Sequence, residues 1–212
     1  MSITVWGRAT SSNVQIVMWT LAELGLLDRT TRHDVGHSYG GVDTPEYLAM
    51  NPNGRVPVLR DGDGTALFES GAIVRYLCAL YGAPAFWPAD PAARAPLDMW
   101  CEWVKVTLGA AFTSGIFMPY RARQAPAPAD VKEVNRLAAI LDARIGDGPW
   151  MTGKTFGLAD LFAGHLMYRF HTLPFDRAPQ ANLAAYYDRL QARPAFVEHV
   201  MVDYSGLRVP EG

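Results

Sequence analysis

Every run with strand character in this chain lies before Gly82, and the fifteen residues from Gly82 to Pro96 hold four prolines, Pro84, Pro88, Pro91 and Pro96. Proline removes a backbone donor and interrupts regular structure, so a segment this rich in it reads as a connector between two units. The expected division is residues 1–82, a linker at 83–92, and residues 93–212. The first unit mixes strand and helix signals; the second shows helical periodicity and no convincing strand. A chain of 212 residues, half of them hydrophobic, can supply two cores of that size.

Within the first unit, Ile3 to Trp6 is a β-prone run ended by Gly7. Ser11-Ser12-Asn13 then offers cap-type side chains, and Val14, Val17, Met18, Leu21 and Leu24 recur at helical spacing before Gly25. Thr30 to Val35 reads as a second strand, and Gly36 to Val42 as a polar loop. Thr44 caps a short helix through Leu48, with Pro45 at its first position. The turn signal Asn51-Pro52-Asn53-Gly54 precedes Val56-Pro57-Val58-Leu59. Asp61-Gly62-Asp63-Gly64 and Thr65 to Phe68 complete a hairpin. Ser70 opens a helix with Ile73, Val74, Leu77 and Leu80 on one face. The order β-α-β-α-β-β-α implies one mixed sheet, with a parallel start and an antiparallel finish, covered by helices.

In the second unit, Leu97 to Met118 is a long apolar-periodic segment. Val131 to Ile145 is amphipathic, Leu158 to His171 strongly apolar, and Leu183 to Leu190 and Pro194 to Val200 are shorter helices. Together they read as an all-α bundle. The formal net charge of −2 offers no field for nucleic acid or an anionic membrane. No apolar stretch approaches the ~18 residues that span a bilayer, and MSITVWGR has no signal-peptide pattern. Cys78 and Cys101, far apart, give no disulfide framework and no metal signature, and His171 and His199 show no ligand spacing. The expectation is a cytoplasmic protein without a metal.

Three short segments carry chemistry. Ser11, Ser12 and Asn13 stand where a helix begins; free N–H groups, the helix dipole and a hydroxyl there favour an anion such as a thiolate. The same residues also suit a plain N-cap. Pro57 withholds a donor at the start of a strand, and a cis Val56–Pro57 bond would leave the Val56 main chain free to pair with an extended peptide; an ordinary trans proline fits the sequence equally. Glu69-Ser70, at a strand-to-helix junction, suits an ammonium and a carboxylate, or a helix cap.

The order of these segments, SSN, NPNGRVPVL, a hairpin and FESGAIVRYL, resembles the glutathione-transferase superfamily over essentially the whole chain. WGRATSSNVQIVMWTLAELGL with VGHSYGGVDTPEYLAMNPNGRVPVL is similar to a bacterial, phi- or theta-like branch, and the Ser-X-Asn turn to its serine-type members. The resemblance implies a thioredoxin-like α/β N-terminal domain and an all-helical C-terminal domain. It implies glutathione as co-substrate, with Ser11 stabilising the thiolate and Ser12 and Asn13 as close substitutes. Val56 then pairs with the cysteinyl unit, Pro57 is cis, and Glu69 and Ser70 hold the γ-glutamyl group. His37 lies in the loop toward the glycyl carboxylate, and Arg55, just before the cis-proline pair, is a further glutathione-binding candidate. The Phe156–Asp160 segment resembles the family's capping box, with Gly157 where Ser or Thr is usual and Asp160 as the reaching acid; that role is one of folding. Ile16 stands where serine-type relatives carry a basic residue, and the Ser11–Asn13 turn has neither the tyrosine nor the cysteine of other classes.

The electrophile is expected between the Ser11 turn and the Leu97–Met118 helix, among Trp103, Thr107, Phe112, Phe117, Met118 and Tyr120, with His165 and Tyr168 further off. The resemblance thus implies transfer of the glutathione thiolate to a small apolar electrophile. Two other readings stay open: glutathione-dependent disulfide or peroxide reduction without a protein cysteine, and a non-catalytic binding module on the same fold. The superfamily's habit implies a homodimer, with Tyr47, Met50 and the Trp100/Trp103 face as contacts.

Overall fold

The computed structural model describes residues 2–146 and 148–210; the outer ends of the two expected domains lie outside them. The first unit is β1 (Ile3–Trp6), α1 (Ser12–Glu23), β2 (Thr30–His33), α2 (Pro45–Met50), β3 (Val58–Asp61), β4 (Leu67–Phe68) and α3 (Ser70–Tyr81). The sheet order is β2-β1-β3-β4, with β1 and β2 parallel and the other pairs antiparallel. This is the expected mixed sheet. Three strands are placed differently from the sequence reading: β4 starts at Leu67, two residues after Thr65, and the limits of the other two are set by β1. It ends at Trp6, which pairs with His33 on one side and Val58 on the other. So β2 stops at His33, two residues short of Val35. Likewise β3 begins at Val58 and runs on to Asp61, leaving Val56 and Pro57 outside the ladder.

Helix α1 lies at the centre of the molecule. Ile16, Val17 and Leu21 are fully buried, and Trp19 packs against Phe156 and Phe196 of the helical half at 5.5 and 5.2 Å. Gly164 permits that approach, since a Cβ there would stand 2.6 Å from the Trp19 ring. Glu23 at the end of α1 is ion-paired with Arg193. One continuous apolar core therefore joins the two halves.

The helical half begins with α4 (Pro91–Trp103), earlier than the sequence reading placed it. Asp90 caps it by accepting from the N–H groups of Ala92 (3.1 Å) and Ala93 (3.2 Å), and Pro91 takes the first helical position. Helical dihedrals persist from α4 through two π turns, Val104–Leu108 and Thr113–Phe117, to Arg121. Helices follow at Pro128–Ile145, Leu158–Gly164, Met167–Thr172, Ala181–Gln191 and Pro194–His199. No described helix is long and apolar enough to cross a membrane.

Gly157 explains its own departure from the family box. Its φ of −166° is ordinary extended backbone, so conformation does not require glycine. Space does: a Cβ would stand 2.2 Å from the carbonyl oxygen of Ala85, where the linker crosses the helix start. Simple capping rules favour Ser over Gly here, yet Gly157→Ser is expected to destabilise the protein by about 2 kcal/mol through overpacking. A lowered urea midpoint at unchanged slope is the measurement, and an increase in stability would show that the linker gives way.

Candidate active site

The turn between β1 and α1 is held from both halves. Gln15 donates to the Ala9 carbonyl (3.1 Å), and Arg169, 4% exposed, donates to the Thr10 carbonyl at 2.7 Å. Arg169 also lies over the rings of Phe117 and Tyr204, and burial brings its pKa down to about 10. Ser11 follows as the N-cap of α1. Its carbonyl accepts from Val14 and Gln15, but its hydroxyl makes no capping bond and has no partner among the described residues.

That hydroxyl belongs to a cleft of ≈ 230 Å³ lined by Arg8, Ser11, Asn13, Gly36, His37, Val42, Gly54, Arg55 and Val56. The Val56–Pro57 bond is cis. The Arg55 carbonyl just before it is fixed by Tyr47 Oη (2.8 Å) and Asn51 Nδ2 (2.7 Å), while Asn51 Oδ1 turns the chain by accepting from Asn53 N–H. Tyr47 is consequently buried within its own subunit, which removes it from the expected dimer contacts. The N–H and C=O of Val56 have no hydrogen-bond partner among the described residues, so a peptide-like edge stands open beside Ser11.

Glu69 and Ser70 meet this region from the start of α3. Glu69 adopts φ +66°, a left-handed backbone rare for a residue with a side chain, and its carboxylate is exposed. Ser70 is buried and donates to Asn13 Oδ1 at 3.0 Å. The structure thus gathers Ser11, Asn13, His37, Arg55 and Val56 around one cleft and ties Ser70 to Asn13. Burial, then Arg8 and Arg121, lower the His37 pKa.

A second cleft of ≈ 370 Å³ adjoins the first, and Asn13 borders both. Its walls are Ser12, Asn13, Val104, Lys105, Gly109, Ala110, Thr113, Ser114, Met118, His165 and Leu166. Of the six residues expected there from the long helix, Met118 alone lines it. Phe112 and Phe117 are buried at 2% and 8% exposure, against Phe170 and Phe175 and against Tyr120 and Tyr204. Trp103 packs edge-on to Trp100, and Thr107 and Tyr168 lie away from the walls. The reason is helical geometry: the face with Phe112, Ile116 and Phe117 serves the core, and the opposite face turns small and polar residues to the cleft. His165 donates through Nδ1 to the Phe162 carbonyl, and burial drives its pKa down to about 3. It lines the cleft as a neutral ring whose Nε2 has no described partner.

Three cations escaped the sequence reading. Lys105 is the only charged residue between Trp103 and Tyr120, and that isolation was the available signal. Arg8 stands two residues past β1, and its guanidinium makes no hydrogen bond or ion pair with any described residue; burial and Arg121 lower its pKa. Arg169 had no local signal, because its partner Thr10 is 159 residues away.

The arrangement has known counterparts. A family model described as "Glutathione S-transferase, N-terminal domain" matches residues 10–80, and one described as "Glutathione S-transferase, C-terminal domain" matches residues 97–194. The chain is 39% identical over 210 residues to glutathione S-transferase GstB of Escherichia coli K12, covering 96% of this chain and 100% of that one. The chain belongs to the glutathione S-transferase family. A theta-class family member from Xanthomonas axonopodis pv. citri, solved with glutathione bound, matches at TM-score 0.86 and 38% identity over 96% of this chain and 99% of that one. Disulfide-bond oxidoreductase YfcG of Escherichia coli K12 is 28% identical over 196 residues, 88% of this chain and 89% of that one. Family membership accounts for the two-part fold.

Both protein thiols are sealed away from these clefts. Cys78 and Cys101 have no exposed surface, and burial pushes the Cys78 thiol up to about 12 and Cys101 up as well. Among the described residues no group of three or more His, Cys, Asp or Glu side chains is arranged to hold a metal.

Proposed function

We propose that this glutathione S-transferase binds glutathione in the Ser11–Val56 cleft and transfers its thiolate to a small electrophile in the adjoining cleft. The unpartnered Ser11 hydroxyl at the start of α1, next to the open Val56 edge, carries this reading. Val56 pairs with the cysteinyl unit and sets the sulfur near Ser11. The hydroxyl donates to the thiolate and the N-terminus of α1 adds its dipole; both favour the reactive ionised form. Glu69 and Ser70 hold the γ-glutamyl end, and Arg55 and His37 flank the glycyl carboxylate. Ser12 and Asn13 border the path from sulfur to electrophile. The second cleft's walls, with Val104, Met118 and Leu166 beside small glycine, alanine, serine and threonine residues, suit a small, mainly apolar electrophile.

Because the cysteines are buried, disulfide or peroxide reduction would run through glutathione alone, with no protein thiol to form a mixed disulfide. We place the protein in the cytoplasm as a homodimer. Exposed Met99 and Val106 on the long helix and Phe68 on β4 supply apolar surface for a second copy. Purified protein is expected to conjugate glutathione to a chlorinated dinitroaromatic faster than it reduces a glutathione-reactive disulfide. The opposite ranking would reassign the chemistry to reduction. Failure to bind immobilised glutathione would leave only a non-catalytic role.

A further inference from the structure

We infer that Lys105, which lines the second cleft and reaches from the helical half to Asn13 at the border of the two clefts, also belongs to the glutathione site and, with Ser70, receives the α-carboxylate of the γ-glutamyl unit. The inference rests on the functional reading above, which places that unit at Glu69 and Ser70.

Lys105 stands in the first π turn, a helix irregularity that recurs at functional positions. Its Nζ donates to Ser70 Oγ at 2.8 Å and to Asn13 Oδ1 at 3.1 Å. An ammonium has three donors, and these two partners are neutral oxygens. No carboxylate of a described residue lies within ion-pair distance of Nζ. The nearest helical candidate, Glu102, three residues earlier, is engaged with Arg75, which also holds Asp98. Lys105 is thus a partly buried cation with neutral hydrogen-bond partners and one open donor, which an incoming anion can take. Burial lowers its pKa accordingly, partly offset by Glu69.

The charge pattern fits a zwitterion. Exposed Glu69 faces the ammonium of an α-amino acid, while Lys105 and the Ser70 hydroxyl face its carboxylate. This also resolves the departure at position 16. Ile16 is fully buried in the core, so α1 carries no cation there. Lys105 delivers one to the same end of α1 from a different element, bonded to Asn13 92 residues away.

The test compares glutathione with γ-aminobutyryl-cysteinyl-glycine, which lacks only the α-carboxylate, in the wild-type protein, Lys105→Met and Lys105→Gln. Gln can still hydrogen-bond Ser70 and Asn13 but carries no charge. Both variants are expected to raise the glutathione KM at least about tenfold, the scale of a lost charge-assisted hydrogen bond, with kcat within about threefold. Wild type is expected to pay a similar factor on the analogue, and the variants to show no further loss on it. Thermal midpoints by circular dichroism confirm that each variant is folded. A variant KM within twofold of wild type overturns the inference, and so does an equal loss on both thiols, which would mark a structural role. Wild-type protein that neither binds nor turns over glutathione would overturn the functional reading as well, so the two failures are distinguishable.

Discussion

Ser11→Ala is expected to slow conjugation about fivefold near pH 6.5 while leaving both glutathione binding and fold stability almost unchanged. A free thiol of this kind ionises near ~8.5, and one charge-assisted hydrogen bond of about 1.5–3 kcal/mol lowers that by roughly one to two units. Losing it removes up to ~98% of the thiolate at pH 6.5. The remaining thiolate is more basic and more nucleophilic, with a Brønsted slope of about 0.4–0.5, which restores part of the rate. The net is about three- to eightfold, and its sign depends on pH. The deficit shrinks as pH rises toward the free thiol's pKa and reverses above it, where both proteins hold ionised sulfur and the variant's is the more nucleophilic.

Stability separates this role from plain capping. An N-cap serine whose side chain bonds the helix costs about 1 kcal/mol when truncated. Ser11 makes no such bond, so the helix loses little. The measurements are a pH–rate profile and the ultraviolet absorbance of bound thiolate. An unshifted thiolate pKa in Ser11→Ala would move the role to Asn13, whose Oδ1 is taken by Ser70 and Lys105 and whose Nδ2 remains without a described partner.

Asp160→Ala is expected to cost about 4 kcal/mol of stability, among the largest effects a single substitution produces. Asp160 has no exposed surface. It accepts from the N–H groups of Met151 (2.6 Å), Gly157 (3.0 Å) and Thr152 (3.2 Å), and from Tyr186 Oη (3.2 Å). Burial pushes its carboxyl up, and the donors pull it back down. Alanine strands three N–H groups, two of them in bonds buried throughout, each worth about 1–3 kcal/mol unsatisfied; relaxation and water keep the total below their sum. Asp160→Asn retains one acceptor oxygen and is expected to lose about half as much. Asp160 lines neither cleft, so folded Asp160→Asn keeps a near-normal kcat. Urea unfolding of both variants is the check, and a loss under ~1.5 kcal/mol for alanine would show that this network contributes little.

The sequence reading expected Asp160 to reach only the cap N–H of Gly157. The structure adds Met151, Thr152 and Tyr186, and shows that the missing hydroxyl at position 157 reflects the Ala85 carbonyl beside it. A capping acid is a local signal, since cap and acid are three residues apart. The linker carbonyl that excludes a Cβ comes from 72 positions away and has no local trace.

The same division runs through the whole protein. Strand and helix order, and the placement of Ser11 and Glu69-Ser70 where helices begin, were legible in the amino acids, because caps, turns and periodicity act over a few residues. Tertiary structure alone decided which face of the helix beyond Trp103 meets the cleft. Periodicity marks the buried stripe with large apolar residues such as Phe112 and Phe117, whereas a cleft needs small or polar ones, and those follow no period. It also decided that Lys105, Arg8 and Arg169 converge on the Ser11 turn: a charge's partners are set by distance through space, and the chain's order does not record that distance.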